Sequence, residues 1–264
     1  MTYQETLDYI FHKLPMYSRM GSAAFKKDLT NIRQLCEQLG NPHQQFKTIH
    51  VAGTNGKGSV SHMLAAVFTA AGYKTGLYTS PHLYDFRERI RIDGAMIPKA
   101  YVTEFVESQK KNIESIEPSF FEITVAMAFR YFADENVDVA IIEVGLGGRL
   151  DSTNIIRPEL SIITNIGWDH TNLLGDSLEA IAGEKGGIIK ESIPVVVGKK
   201  HLQTQPVFER LAAEKAAPLY FAEDFYHHRH HQLDHTSLTV IYKREHCGEL
   251  EVTTDLPGIY QVEN

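Results

Sequence analysis

Much of what marks a secreted, membrane-spanning or nucleic-acid-coating protein is missing from this sequence. Only two cysteines occur, Cys36 and Cys247, far apart and without His or Cys partners at metal-ligand spacing. That argues against a disulfide framework or a cysteine-held zinc site and fits a reduced, cytoplasmic chain. No apolar run approaches the length of a membrane span. Residues 1–14 interleave Glu5, Asp8, His12 and Lys13 with their apolar residues, so they lack the unbroken apolar centre of a signal peptide. Basic excess is absent as well: the net charge of −7 argues against a general nucleic-acid binder, so any polyanion must be gripped locally. Repeats and low-complexity linkers are not visible.

What is present is core material. An apolar content of 43% in 264 residues is ample for one large α/β domain or two small ones. Leu7, Ile10, Phe11 and Leu14 recur at helical spacing before Pro15. Leu29, Ile32, Leu35, Cys36 and Leu39 form a second apolar stripe, stopped by Gly40. Residues 17–27, between them, read as a loop. From residue 48 the pattern alternates short apolar strands (48–52, 76–79, 137–144, 160–166, 194–198) with helices (57–71, 99–113, 121–134, 178–189, 203–215). This is the form of a mostly parallel sheet flanked by helices. Residues 237–242 and 249–253 read as a small antiparallel strand pair appended to the sheet edge. The sequence stops at Asn264 without a terminal cap, which reads as a cut.

The chemistry-bearing residues lie where strands end. The strand 48–52 runs directly into Gly53-Thr54-Asn55-Gly56-Lys57-Gly58-Ser59, and Val60, Met63, Leu64, Val67 and Phe68 give the next segment helical periodicity. Strand, glycine loop and helix in this order make a phosphate site: backbone N–H groups converge on an anion, the helix N-terminus adds positive potential, and Lys57 supplies a mobile charge. The loop departs from the common G-x-x-x-x-G-K-[ST] form, with two residues between Gly53 and Gly56 and a glycine between Lys57 and Ser59. A tight βα turn is the bland alternative. Glu143 interrupts an apolar run at the end of a strand and precedes a glycine cluster, where it can hold Mg²⁺ or simply face solvent. Asp169 and His170 follow the strand 160–166, and Ser80 sits in a Ser-Pro turn after the strand 76–79; each is a candidate ligand or an ordinary turn residue.

Two further groups stand apart. His227, His228, His230, His231 and His235 read as a solvated loop rather than a metal site. Arg87, Arg89 and Arg91, alternating with Ile90 and Ile92, read as a half-exposed strand whose arginines meet phosphate, a carboxylate or only water.

Taken in order, residues 53–59, Thr79-Ser80-Pro81-His82-Leu83, the block 143–154 (Glu-Val-Gly-Leu-Gly-Gly-Arg-Leu-Asp-Ser-Thr-Asn), Asp169-His170 and Glu184-Lys185-Gly186-Gly187-Ile188 resemble the folylpolyglutamate synthase/dihydrofolate synthase family of the Mur ligase superfamily. The likeness runs from about residue 15 to the end. It implies a P-loop NTPase-like Mur ligase central domain over residues 1–264, and an enzyme that adds L-glutamate to dihydropteroate or to a folate through an acyl phosphate made with ATP. It further implies that Thr54, Asn55, Gly56, Lys57, Gly58 and Ser59 wrap the nucleotide phosphates, with Asn264 at the adenine. Ser80, Glu143 and His170 would hold magnesium, with two ions in all, and Lys57, His170 and a carbamylated Lys185 would serve catalysis. The pterin-bearing substrate would meet Ser119, Phe120, Phe121, Glu122, Leu150, Asp151 and Ser152, with a weaker match at 24–27.

The family carries a further C-terminal domain that holds glutamate and is absent from this sequence. The expectation is therefore a monomeric, cytoplasmic enzyme of which this chain alone completes no ligation. A ligase of another Mur type and a nucleotide-binding module without catalysis stay open beside it; a simple phosphotransferase is disfavoured because nothing here suggests an alcohol-activating base.

Overall fold

The computed structural model describes residues 1–15, 28–245 and 247–264. The expected loop at 17–27 and the weaker substrate match at 24–27 lie outside them. The chain divides into two compact units, Met1–His50 with Ser61–Glu159, and Val51–Val60 with Leu160–Asn264.

In the first unit, helix α1 (Tyr3–Lys13) starts at Thr2, whose hydroxyl accepts from Glu5 N while the Glu5 side chain accepts from Thr2 N; this reciprocal cap satisfies two N–H groups that a helix start leaves without partners. Helix α2 (Thr30–Gln38) buries Ile32, Leu35 and Cys36, the stripe expected from spacing. Gly40 (φ +78°) follows it, where a residue with a Cβ would be strained. The strands are β1 (Lys47–Ala52), β2 (Thr75–Tyr78), β3 (Ile90–Ile92), β4 (Ala95–Met96) and β5 (Val139–Glu143). Their order is β4-β3-β2-β5-β1. β2 and β5 pair in parallel, from Thr75 opposite Val139 to Tyr78 opposite Ile142, whereas β3 and β4 are antiparallel additions.

Between them in sequence come helices α3 (Lys57–Ala70), α4 (Lys99–Ile116) and α5 (Phe120–Asp134). α5 is apolar almost all round and lies in the unit's core, with Ile123, Met127, Phe129 and Phe132 fully buried. Phe120, at its start, stacks on Phe11 at 5.2 Å between ring centroids.

In the second unit the end of β1 is followed in the order by β6 (Leu160–Ile163), β7 (Val195–Val197) and β8 (Leu219–Phe221), the last three paired in parallel. Thr164 N donates to Ala52 O (2.9 Å), which ties the end of β1 to the turn after β6. Helices α6 (Thr171–Leu174), α7 (Leu178–Gly186) and α8 (Gln205–Glu214) complete the layer. A mostly parallel sheet flanked by helices is what the alternating pattern required.

Three expectations are corrected. The antiparallel pair is one part of a separate three-stranded sheet, β9 (Tyr226–Leu233), β10 (Leu238–Arg244) and β11 (Gly248–Thr254), in the order β11-β10-β9, and does not extend the main sheet. Of the histidine-rich segment, His227, His228, His230 and His231 lie in strand β9 and not in a loop, whereas His235 sits in the turn after it. Polarity hid the strand, because an exposed strand needs only cross-strand pairing and no apolar alternation. Of the three arginines, only Arg91 lies in a strand. Arg87 and Arg89 belong to a 3₁₀ turn (Phe86–Arg89) capped by Asp85, and Arg89 is buried. Among the described residues no helix is long and apolar enough to cross a membrane.

Candidate functional site

In the second unit the glycine loop leaves the end of β1 and enters α3 at Lys57. Gly53 has φ +147°, a conformation open only to glycine, and a Cβ there would lie 1.9 Å from Thr164 Oγ1. The turn after β6 holds the loop at several points. Thr54 N donates to Asn165 O (3.0 Å), Asn55 N to Asn165 Oδ1 (3.0 Å), Gly167 N to Thr54 Oγ1 (3.0 Å), and Thr164 Oγ1 to Asn55 O (2.5 Å). Lys57 Nζ donates to the carbonyls of Gly53 and Thr54, both at 3.0 Å, so its ammonium rests on the loop itself. Gly58 and Ser59 occupy the first turn of α3.

Lys185, on α7, is 1% exposed. Its Nζ donates to Gly53 O at 2.9 Å and pairs with Asp169 Oδ2 at 3.2 Å. Asp169 Oδ1 lies 3.5 Å from His170 Nε2, and His170 itself turns the chain with φ +41°. Gln261 Nε2 donates to Ser59 Oγ (3.2 Å), and Asn264 Nδ2 donates to Gln261 Oε1 (2.7 Å). Gly56 (φ +80°) is close enough to Asn264 that a Cβ would meet its Oδ1 at 2.0 Å. Thr54, Asn55, Gly56, Lys57, Gly58, Ser59, His170, Lys185 and Asn264 are therefore gathered in one unit by the loop and its neighbours.

The first unit carries the remaining candidates. Glu143, the last residue of β5, is buried and accepts from Ser80 N at 3.0 Å, so those two are brought together. Asp151 is buried: its Oδ2 accepts from Leu146 N (2.8 Å), and its Oδ1 from Thr153 N (3.0 Å) and Thr153 Oγ1 (2.5 Å). Burial pushes its carboxyl above the ordinary aspartate value, and those hydrogen bonds work against the rise. Phe121 packs against Gly145, where a Cβ would fall 2.4 Å from Cζ, and its ring meets Tyr78 edge-on. Leu150 and Ser152 flank Asp151 and are half-buried.

Ser119 and Glu122 engage one another. Ser119 N and Oγ both donate to Glu122 Oε2 (2.7 and 2.8 Å), and Glu122 N donates to Ser119 Oγ (3.2 Å), a buried capping box that starts α5. Phe120 lies in the aromatic core. These three hold the helix from which Phe121 projects.

Reading the sequence missed Thr164 and Asn165, although a Thr-Asn pair at the carboxyl end of an apolar strand is a usable signal. Arg89 was singled out with Arg87 and Arg91, but not as a buried group: its Nε donates to His82 Nδ1 at 2.7 Å and its guanidinium lies over the Phe120 ring. Among the described residues, no three His, Cys, Asp or Glu side chains gather in metal-binding geometry.

Strand, glycine loop, helix and a lysine resting on the loop define an α/β protein whose glycine loop joins a sheet strand to a helix N-terminus. Residues 51–264 match the Mur ligase middle domain, and the chain belongs to that family. It is 43% identical over 206 residues to the dihydrofolate synthase/folylpolyglutamate synthase of Bacillus subtilis (strain 168), a match covering 75% of this chain and 48% of that protein. It is 44% identical over 205 residues to the folylpolyglutamate synthase of Lacticaseibacillus casei, covering 75% and 46%. A solved structure described as an FPGS-AMPPCP-folate complex superimposes with a TM-score of 0.90 at 37% identity, over all of this chain and 64% of that one. The chain thus spans about half the length of the curated relatives it matches.

Proposed function

We propose that this chain is the ATP-holding part of a ligase that joins L-glutamate to the carboxylate of dihydropteroate or of a folate. The observation that carries the reading is the phosphate loop, braced by Lys185 and the turn after β6, in a chain whose relatives bear those enzymes' names. In this reading the backbone N–H groups of residues 54–59 and the Lys57 ammonium bind the nucleotide phosphates. Asn264 borders the same loop and is assigned to the adenine side.

For magnesium, the donor chemistry fits. A hard cation takes oxygen ligands, commonly one or two carboxylates completed by phosphate and water, so a cluster of three protein carboxylates is not required. Glu143, a buried carboxylate at a strand end in contact with Ser80, offers such a donor in the first unit. His170, beside Asp169, is the assigned ligand in the second. Magnesium, when bound, neutralises phosphate charge and makes the terminal phosphoryl group easier to transfer.

Lys185 is assigned as the carbamylated residue. Its side chain is buried, and its Nζ is held between Gly53 O and Asp169 Oδ2 beside the loop. Its test is a mass increase of one CO₂ on the peptide carrying Lys185. Phe121 and Asp151, flanked by Leu150 and Ser152, are assigned to the pterin ring, with Ser119, Phe120 and Glu122 holding the helix start behind them.

The deciding experiment measures phosphate release from ATP by the full-length protein. Release is expected to require both L-glutamate and either dihydropteroate or a folate, and to be lost in Lys57→Ala. Release independent of either co-substrate would defeat the proposal, and mass analysis of the products separates the first glutamylation from tail extension.

A further inference from the structure

The histidines of β9 are sorted by a defect in the sheet. Along the β9–β10 ladder His231 faces Val240 and His230 faces Ile241, then the register slips, so that His228 faces Tyr242 and His227 faces Lys243. Arg229 is the extra residue of a β-bulge. In a regular strand, residues three apart point to opposite faces. The bulge cancels one step, so His228 and His231 share the face that carries Val240 and Tyr242, while His227 and His230 share the other.

On that face the two imidazoles meet. His231 Nδ1 lies 3.2 Å from His228 Nε2, with ring centroids 5.2 Å apart and planes inclined by 35°. The Tyr242 ring stands edge-on to His228 at 6.4 Å and limits its swing.

We propose that His228 Nε2 and His231 Nδ1 form a two-imidazole site for a divalent transition metal of the zinc, nickel or copper class. Imidazole nitrogen suits these ions, whereas magnesium prefers oxygen. Metal–nitrogen bonds of about 2.0–2.1 Å put the two nitrogens about 2.9 Å apart at a right angle and about 3.4 Å apart at the tetrahedral angle. The observed 3.2 Å lies between those limits. The same separation also suits an N–H···N hydrogen bond, which holds the rings in place; when a metal binds, the donor imidazole gives that proton to water and takes one from water on its other ring nitrogen, so both ligands stay neutral. Water supplies the remaining ligands. Neither histidine belongs to the phosphate loop or to the residues that brace it.

The test is calorimetric titration of Zn²⁺ into the full-length protein in saturating Mg²⁺, comparing the parent with His228→Ala, His231→Ala, His227→Ala and His230→Ala. Loss of either shared-face imidazole is expected to weaken one Zn²⁺ binding event by about tenfold or more, and loss of either opposite-face imidazole by less than about twofold. All four are surface side chains on one strand, so the opposite-face pair controls for damage to the sheet. The proposal is overturned if the parent shows no Zn²⁺ event, if His228→Ala and His231→Ala bind as the parent does, or if all four variants lose binding equally.

Discussion

Replacing Gly53 by Ala tests whether the phosphate loop is shaped by its backbone and by Thr164, as the geometry requires. The new Cβ would lie 1.9 Å from Thr164 Oγ1, 3.1 Å from Thr164 Cβ and 3.2 Å from Thr164 N. Turning the threonine hydroxyl away relieves only the first of these, and it breaks the bonds from Oγ1 to Asn55 O (2.5 Å) and Ala52 O (3.4 Å). Each lost hydrogen bond costs about 1 kcal/mol. The backbone at φ +147° adds about 1–3 kcal/mol of strain for a residue with a Cβ. The sum is roughly 3–5 kcal/mol, a large part of the roughly 5–15 kcal/mol that stabilises a typical domain. Thermal unfolding of the full-length protein should fall by on the order of 10 °C, and binding of an ATP analogue should weaken in parallel. Thr164→Ala alone should cost about 1–2 kcal/mol. Combined with Gly53→Ala it should cost less than the sum of the two, because the hydroxyl clash has gone while the φ strain stays. A Gly53→Ala protein within about 1 kcal/mol of its parent, or strict additivity in the double variant, would refute the account.

Glu122→Ala strips two buried donors of Ser119 of their acceptor and should destabilise the first unit by about 2–4 kcal/mol, with Glu122→Gln recovering much of it; melting temperatures decide. Cys36 is buried, and burial pushes its thiol up to about 12, whereas Cys247 is exposed. A chromogenic disulfide reagent at mildly alkaline pH should therefore titrate one thiol fast and the second only after unfolding. The hydrogen-bonded Arg87 guanidinium holds the Asp85 carboxyl down at about 2. A lowered acid pKa stabilises the fold above the unfolded value near 4 and loses that contribution as pH falls toward 2. Solvent screening limits it to about 1 kcal/mol or less, so Asp85→Asn should melt slightly below the parent at pH 6 and converge with it near pH 2.

The elements of this chain were legible because their signals are local. Alternation of short apolar strands with helical stripes marked the parallel sheet, and Gly-Thr-Asn-Gly-Lys-Gly-Ser directly after a β-branched strand marked the phosphate loop. A strand end, a glycine turn and a helix start are neighbours in sequence, so their chemistry can be read without knowing the fold. The capping box at Ser119 and Glu122 was equally local, yet those residues entered only through the family resemblance, since spacing alone does not say that two side chains satisfy each other.

What tertiary structure alone decided depends on distant pairings. The brace on the loop comes from Thr164, Asn165, Asp169 and Lys185, more than a hundred residues along the chain from Gly53. Only the adjacency of β1 and β6 brings the turn that holds the first three to that glycine. Arg89 reads from its neighbours as one of three arginines on a half-exposed strand, but a 3₁₀ turn carries it and it is buried. The histidines of β9 were visible as a cluster, but which of them share a face follows from one extra residue in a β-ladder, and register is a property of two strands together. Composition and local pattern determined that the chain is an α/β protein with a glycine loop between a strand and a helix. Which side chains surround that loop was determined by the order of strands, because only burial and cross-strand pairing choose among residues that the sequence leaves far apart.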